Sequence, residues 1–355
     1  MPMPLCLSRR RLSGLLNDTG ALSRILELRA RTGAPWLSIL TYHRFFTPAG
    51  NEPFDEGVVD TSVEEFERHV VSVKKYFNVV GVEELCAFVA GGSLPPNAVA
   101  ITFDDGYLDN CSEALPILLK HDCKAIFFVA TSFITERKLY WWDRVAYLIK
   151  QSARERVSIS YPRPFSVTLA DKSVAIFELL RFIKSCSLID LEHFLGELSV
   201  ATGVSWSVEV ERSFSDQLLM TWDHVRALKQ AGMDVQSHTR SHRILQTLSP
   251  SELEAELDGS RRDLQQQLGE APVALAYPVG KPLAPDSPIR GALRRAGYRI
   301  GLSNGTGATP TWGRRDPFDI RRQTVARDLA TPFLLSILAV PPLAPKYPWH
   351  RTRMY

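Results

Sequence analysis

Three things are scarce in this chain. Cysteine is the first: five in 355 residues (Cys6, Cys86, Cys111, Cys123 and Cys186), an odd number with no Cys-x-x-Cys pair. That argues against a disulfide framework and against a thiolate zinc site, and suggests free, mostly buried thiols in a reducing compartment. Excess charge is the second: 42 Lys and Arg face 39 Asp and Glu, a net charge of +3. Nucleic-acid binding needs cations gathered on one face, so a surplus this small implies no nucleic-acid partner. Long apolar runs are the third, since none reaches the ~20 residues that a membrane-spanning helix requires. The most apolar late stretch, Pro332–Pro345, is shorter and is expected to be a terminal packing helix stopped by Pro341 and Pro342.

What is present suits a globular enzyme. Hydrophobic residues make up 45% and charged residues 23%, unlike a disordered chain. The length fits either two ordinary domains or one barrel carrying an insertion. At the N-terminus, Arg9, Arg10 and Arg11 precede two leucines and imitate an export signal. Asn17, Asp18, Arg24, Glu27 and Arg29 interrupt the apolar core of about 7–15 residues that such a signal needs. Residues 8–31 read instead as one basic amphipathic helix, solvated or docked on the domain in preference to lying on a membrane. The placement expected from this is cytoplasmic, with peripheral membrane contact left open.

The first third alternates strand and helix. Trp36–Tyr42 reads as a buried strand, and Ser62-x-x-Glu65 as a capping box opening a helix. Val82–Ala90 is a helix stopped by Gly91 and Gly92. Ala98–Phe103 is a strand, Asp109–Lys120 a helix and Lys124–Ala130 a strand. The last third repeats the rhythm. A helix from Thr221 precedes the strand Met233–Gln236, and the helix Ser249–Leu268 precedes the strand Val273–Tyr277. The helix Ile289–Ala296 precedes the strand Tyr298–Leu302. Near-continuously apolar strands separated by helices imply a parallel sheet covered on both faces. With no Gly-rich dinucleotide turn, a barrel is favoured over a nucleotide fold. Residues 135–215 break the rhythm with helical stretches and a hairpin at Val157–Leu169. They read as an inserted, mainly helical cap between two barrel strands. The expected organisation is therefore a helical segment at 1–34, a barrel at 35–134 and 216–340, the cap at 135–215 and a tail at 341–355.

Two places can carry chemistry. The strand Ala98–Phe103 ends in Asp104, Asp105 and Gly106, and both carboxylates can face one pocket only if the chain turns there, as Gly106 permits. A polar strand end with Asp105 capping the next helix is the plain alternative. The second place is Ser237-His238-Thr239-Arg240-Ser241-His242, directly after a strand, where histidines four apart converge on one helical face or turn. A pair of surface histidines is the alternative there. Taken together, a carboxylate and two imidazoles make a borderline donor set with open positions, suited to Zn2+ and other divalent ions. A second carboxylate is then free to act as general base on a metal-activated water, which leads to amide or ester hydrolysis.

TFDDG at 102–106 followed by SHTRSH at 237–242 resembles the polysaccharide deacetylases of carbohydrate esterase family 4. The similarity runs from the strand LSILTYHR to DIRRQTV, leaving out the insertion. It implies an α/β fold, an irregular (β/α)7-type barrel with the site at the strand C-termini. It also implies Asp104 as base activating a metal-bound water, with Asp105, His238 and His242 as ligands of a divalent metal. Zn2+ is the first choice, with Co2+, Ni2+ and Mn2+ open. Ser237, Thr239 and Ser241 would orient the histidine rings, and backbone N–H groups near Val279 and Gly280 would help hold the oxyanion.

The third family motif, Arg-x-Pro-aromatic-Gly, stands here as Ala276-Tyr277-Pro278-Val279-Gly280. Tyr277, Pro278 and Gly280 are taken as substrate-facing. Its arginine, which usually steadies the base, is missing. Arg322 is the candidate substitute, with Arg321 and Arg315 as competitors. The late Leu-x-His motif that supplies a general acid is not recognisable, because His350 lies beyond the packing helix. His43 is the candidate replacement acid or substrate contact, a backbone-bonded structural histidine being the alternative. These substitutions recur in the exopolysaccharide and envelope-glycan branch of the family. In the insertion, Trp142, within Tyr140-Trp141-Trp142-Asp143, is a candidate sugar-stacking surface or a packing residue of the cap. The expected partner is an N-acetylated glycan or glycolipid. A hydrolase of another small C–N bond on the same barrel, or a non-catalytic glycan-binding relative, are the competing readings.

Overall fold

The computed structural model describes residues 3–32, 35–46, 53–186, 189–305, 307–327 and 329–341, with side chains from Arg10 onward. The expected tail at 341–355, Pro341 apart, and His350 lie outside these residues.

Seven parallel staves close into a barrel. They are β1 (Trp36–Tyr42), β2 (Ala98–Phe103), β3 (Ile126–Val129), β4 (Asp234–Ser237), β5 (Ala274–Ala276), β6 (Ile300–Ser303) and β7, which is split into Ile320–Arg321 and Gln323–Thr324. Each pairs with the next in parallel. The split stave closes the ring: Ile320 and Arg321 pair with Leu302 and Ser303 of β6, while Gln323 and Thr324 pair with Leu40 and Thr41 of β1. Arg322 sits at that closure.

The period of two along each strand sorts the core. Leu37 and Ile39, Ala98 and Ala100, Ile126 and Phe128, Ala274 and Ala276, and Ile300 and Leu302 form one interior cluster with Ile320. Their neighbours, such as Leu40, Val99, Ile101, Phe127 and Val129, pack outward under the helices. Val80, Val82, Leu85, Cys86 and Phe88 join the interior cluster and seal the N-terminal end of the barrel.

The surrounding helices begin and end on local chemistry. Ser249 caps Pro250–Leu268 in a full capping box with Glu252, and Gly269 at φ 81° terminates it. Ser62 accepts from the Glu65 amide at 3.2 Å, but the Glu65 carboxylate goes to Thr331 and Arg68 instead of returning to Ser62. That box is therefore half made. The basic segment expected as one helix over 8–31 is two, Met3–Asp18 and Ala21–Thr32, because Gly20 turns the chain at φ 71°.

Between β3 and β4 the chain builds the helices Trp141–Gln151, Lys172–Ser185, Leu191–Thr202 and Val208–Leu218 and the hairpin Arg156–Ile159/Phe165–Thr168. All but the last helix feed buried residues into a separate hydrophobic cluster. The helix Val208–Leu218 had no sequence expectation and crosses the expected boundary at 215. No helix among the described residues is long and apolar enough to cross a membrane.

Candidate active site

Strand parity decides which side chains meet at the C-terminal rim. The interior column of β2 runs Ala98, Ala100, Thr102 and then Asp104, just past the strand end. In β6 it runs Ile300, Leu302, Asn304, and in β7 Ile320 is followed by Arg322. Arg321, of opposite parity, points out and is exposed. Arg315 is engaged far away, on the Gly92 carbonyl at 2.6 Å. Of the three arginines only Arg322 reaches Asp104, donating from Nη1 and Nη2 to the two carboxylate oxygens at 2.7 Å each. Both residues are buried, Arg322 completely, and such paired, charge-assisted bonds are the strong kind.

Asp105 has the wrong parity for the interior, yet it lines the same cavity. Its φ of 75° and the 83° of Gly106 are two successive left-handed residues that swing the chain round. A non-glycine residue there costs about 1–3 kcal/mol. Thr239 (φ 66°), His242 (φ 53°) and Val279 (φ 63°) repeat the strain. Four of the seven described non-glycine residues with positive φ thus line or flank one cavity.

The histidines converge through this irregular loop and not along a helix. Their ring centroids lie 4.7 Å apart. Asp105 Oδ1 is 3.3 Å from Nε2 of His238 and 3.3 Å from Nε2 of His242. His238 Nδ1 donates to the Ala276 carbonyl at 2.9 Å, which assigns the proton to Nδ1 and leaves Nε2 as a lone pair turned toward Asp105. Asp105 Oδ1 is buried without a hydrogen-bond donor. Burying an anionic oxygen in that state is costly unless a cation answers it. The three groups fit a metal ion: all are buried, and one ligand atom from each lies within 4.8 Å of the others.

The hydroxyls expected to orient the rings do something else. Ser237 Oγ accepts from the Thr239 amide at 3.1 Å, and Thr239 Oγ1 accepts from the His242 amide at 3.1 Å. They hold the loop backbone, as does Glu256, which takes the Arg240 and Ser241 amides at 3.0 and 2.8 Å.

His43 follows β1 and lines the cavity. Its Nδ1 meets Asp60 Oδ2 at 2.9 Å, its amide donates to the same oxygen, and its carbonyl accepts from Asn110 at 2.6 Å. Burial pushes the imidazole down, but the Asp60 carboxylate overrides it and holds His43 above its ordinary value. Burial likewise pushes Asp104 and Asp105 up. Arg322 and His238 bring Asp104 below the usual carboxylate range, and His238 and His242 bring Asp105 well below it. His242 goes down through burial.

The cavity measures about 110 Å3. Tyr277 lines it, with its hydroxyl tied to the Phe318 carbonyl at 2.9 Å. Pro278 and Gly280 are buried behind the lining. The Gly280 amide donates to the Tyr277 carbonyl at 2.7 Å, so it is committed and cannot serve an oxyanion. Gly280 is needed for its turn, at φ 71° and where an added Cβ would collide with Asn304 Cβ. Trp142 lines the cavity as a wall and not as an open platform. One face stacks on Tyr140 at 4.3 Å, the ring tilts against His242 at 4.6 Å, and Nε1 donates to Tyr107 at 2.9 Å. Beside it Asp143 is buried, and burial together with the charge of Asp55 lifts it to about 7.

Asp60, Glu256 and Asp143 carried no sequence signal. Their partners are 17, 16 and 36 positions away along the chain.

A buried Asp/His/His cluster beside an arginine-held carboxylate, at the C-terminal rim of a parallel barrel, is a hydrolytic layout. A family model described as polysaccharide deacetylase matches residues 91–161 and 194–301, just over half of the 355 residues. The chain belongs to that family, hydrolases of N-acetyl amide bonds. Curated protein sequences give no match. Among solved structures it is similar to the Streptococcus pyogenes deacetylase PplD in complex with acetate, at 19% identity, 86% of this chain, 99% of that one and a TM-score of 0.55. It is also similar to IcaB from Ammonifex degensii, at 17% identity over 87% and 99% with a TM-score of 0.54. A third similar structure is a de-N-acetylase from Aggregatibacter actinomycetemcomitans, at 16% identity over 85% and 99% with a TM-score of 0.53. At these identities the likeness is one of fold.

Proposed function

We propose that this protein is a metal-dependent hydrolase removing acetyl from N-acetylated amino sugars of a polysaccharide or glycan precursor. The observation that carries the reading is Asp105 Oδ1, buried without a donor between two imidazole nitrogens at 3.3 Å each. Asp105, His238 and His242 would hold the ion, with Zn2+ suited to this borderline donor set and Co2+, Ni2+ or Mn2+ as alternatives. When bound, it supplies Lewis acidity toward the acetamido carbonyl and brings the pKa of water down to about 7.

The chain's own groups do the rest. Arg322 keeps Asp104 ionised and fixes the plane of its carboxylate, which takes the proton of the attacking water. Val279 lines the cavity, and its backbone N–H is assigned as the donor to the carbonyl oxygen, Gly280 being committed. Asp60 holds a proton on His43 Nδ1 and favours the imidazolium, so that Nε2 can deliver a proton to the departing sugar amine. The C–N bond breaks, and acetate and the free amine leave. Trp142 and Tyr277 wall the acetamido end. Arg322 in the place of the missing motif arginine argues against a non-catalytic relative.

The test is acetate release from N-acetylglucosamine oligomers by metal-loaded protein, with metal content measured alongside. About one divalent ion per chain is expected, with activity abolished by a chelator and restored by Zn2+. Metal-loaded protein that releases no acetate from any N-acetylhexosamine would overturn the reading.

A further inference from the structure

The near-neutral total conceals a strong segregation of charge. Residues 1–34 carry six arginines against Asp18 and Glu27, a net +4, although the whole chain is only +3. Residues 341–355 add Lys346, Arg351 and Arg353 and no acid, so everything between is net −4. In the fold the N-terminal pair of helices packs against the helix Thr331–Ala339. Arg29 donates to the carbonyl of Ala339, the last residue of the helix Thr331–Ala339, at 2.8 Å. Arg10 lies over the Phe333 ring of the same helix at 5.6 Å.

That hairpin buries Leu22 and Leu26 and turns other large aliphatics outward. Leu12, Leu15, Ile25 and Leu28 are 54%, 60%, 40% and 63% exposed, and Val340 beside them is 41% exposed. Exposed arginines frame these side chains: Arg11 one turn before Leu15, and Arg24 and Arg31 one turn before and after Leu28. Exposed leucines alone would suit a protein partner, and arginines alone a nucleic acid. Aliphatics framed by arginines, on a segment of net charge +4, match an anionic bilayer. There aliphatics enter the acyl boundary and arginines meet headgroups.

We infer that the helical hairpin Met3–Thr32 docks this protein on an anionic lipid surface. The hairpin contributes nothing to the catalytic cavity, so this inference stands or falls apart from the proposed reaction.

Co-sedimentation of the full chain with phosphatidylcholine vesicles, with and without one-third phosphatidylglycerol, tests it. Binding to the anionic vesicles should be at least about tenfold stronger, and high salt should weaken it. Leu15→Glu with Leu28→Glu should weaken binding by about tenfold or more. Arg11→Gln, Arg24→Gln and Arg31→Gln together should weaken it by about fivefold per arginine. Melting temperature and acetate release from a soluble oligosaccharide should stay unchanged. If the leucine variant does not fold, the arginine variant decides. No vesicle binding by the unaltered chain, or binding indifferent to both sets of changes, overturns the inference. So does a dimer abolished by the leucine changes in the absence of vesicle binding, or tighter binding to duplex DNA than to vesicles.

Discussion

The two ends of the barrel are built on opposite terms. At the N-terminal end Val80, Leu85 and Phe88 cap the interior column with apolar packing, and Arg315 covers the Phe88 ring at 4.3 Å. At the C-terminal end the same columns finish in Asp104, His238, Asn304 and Arg322, and four residues there hold strained backbone. Each strand carries one end of each kind. A closed, densely packed end can hold the fold while the other keeps buried charges, unsatisfied oxygens and left-handed residues in place for chemistry.

Changes at the rim should therefore cut activity, and changes at the sealed end should cut stability. On the proposed mechanism, Asp104→Asn should lower kcat by about 100- to 10,000-fold, the range of a lost general base. It also strands the buried Arg322 guanidinium, so stability should fall by about 3–5 kcal/mol. Adding Arg322→Met should recover stability in urea titrations without recovering kcat, which separates the two roles. Phe88→Ala, at the other end, should cost about 3–5 kcal/mol through its cavity while kcat below the melting range stays put. A fall in kcat there would break the contrast. Gly280→Ala forces a Cβ against Asn304 and a side chain into φ 71°, and should cost about 2–3 kcal/mol with KM raised.

The mildest effect is a pH dependence. Asp143 sits at about 7 in the fold against about 4 when unfolded. The folded state keeps a proton that the unfolded chain releases. Its stabilisation is complete below about pH 4 and is lost as pH rises through about 7. Urea midpoints should thus fall by the equivalent of about 2 kcal/mol between about pH 5.5 and 7.5, and Asp143→Asn should flatten that slope. An unchanged slope would place the titrating group elsewhere, Asp109 first, since burial lifts it to about 6.

Much of this was readable in the chain. Apolar runs of strand length, Ser and Thr caps and stopping glycines located six of the seven staves and most of the helices, because those signals act within a turn or two. The Asp-Asp-Gly and the paired histidines stood out because the groups that must meet lie at strand ends. Parity could also have chosen Arg322 over Arg321, since Ile320 already marks the inward face. The hairpin was misread as a single helix because Gly20 was not weighed as a break. The two-residue strands and the three-residue Arg44–Phe46 went unseen because so few residues show no period.

Local pattern, then, settles strands, caps and the residue types able to carry the chemistry. Folding alone decides that Asp60 holds His43, that Glu256 clamps the histidine loop, and that Gly280 spends its amide on Tyr277. Those partners are joined by barrel closure across residues with no periodic relation. The same holds for Asp105: its neighbours in sequence predict an outward side chain, and only the strained turn at 105–106, sustained by the packed barrel beneath it, brings its carboxylate to His238 and His242.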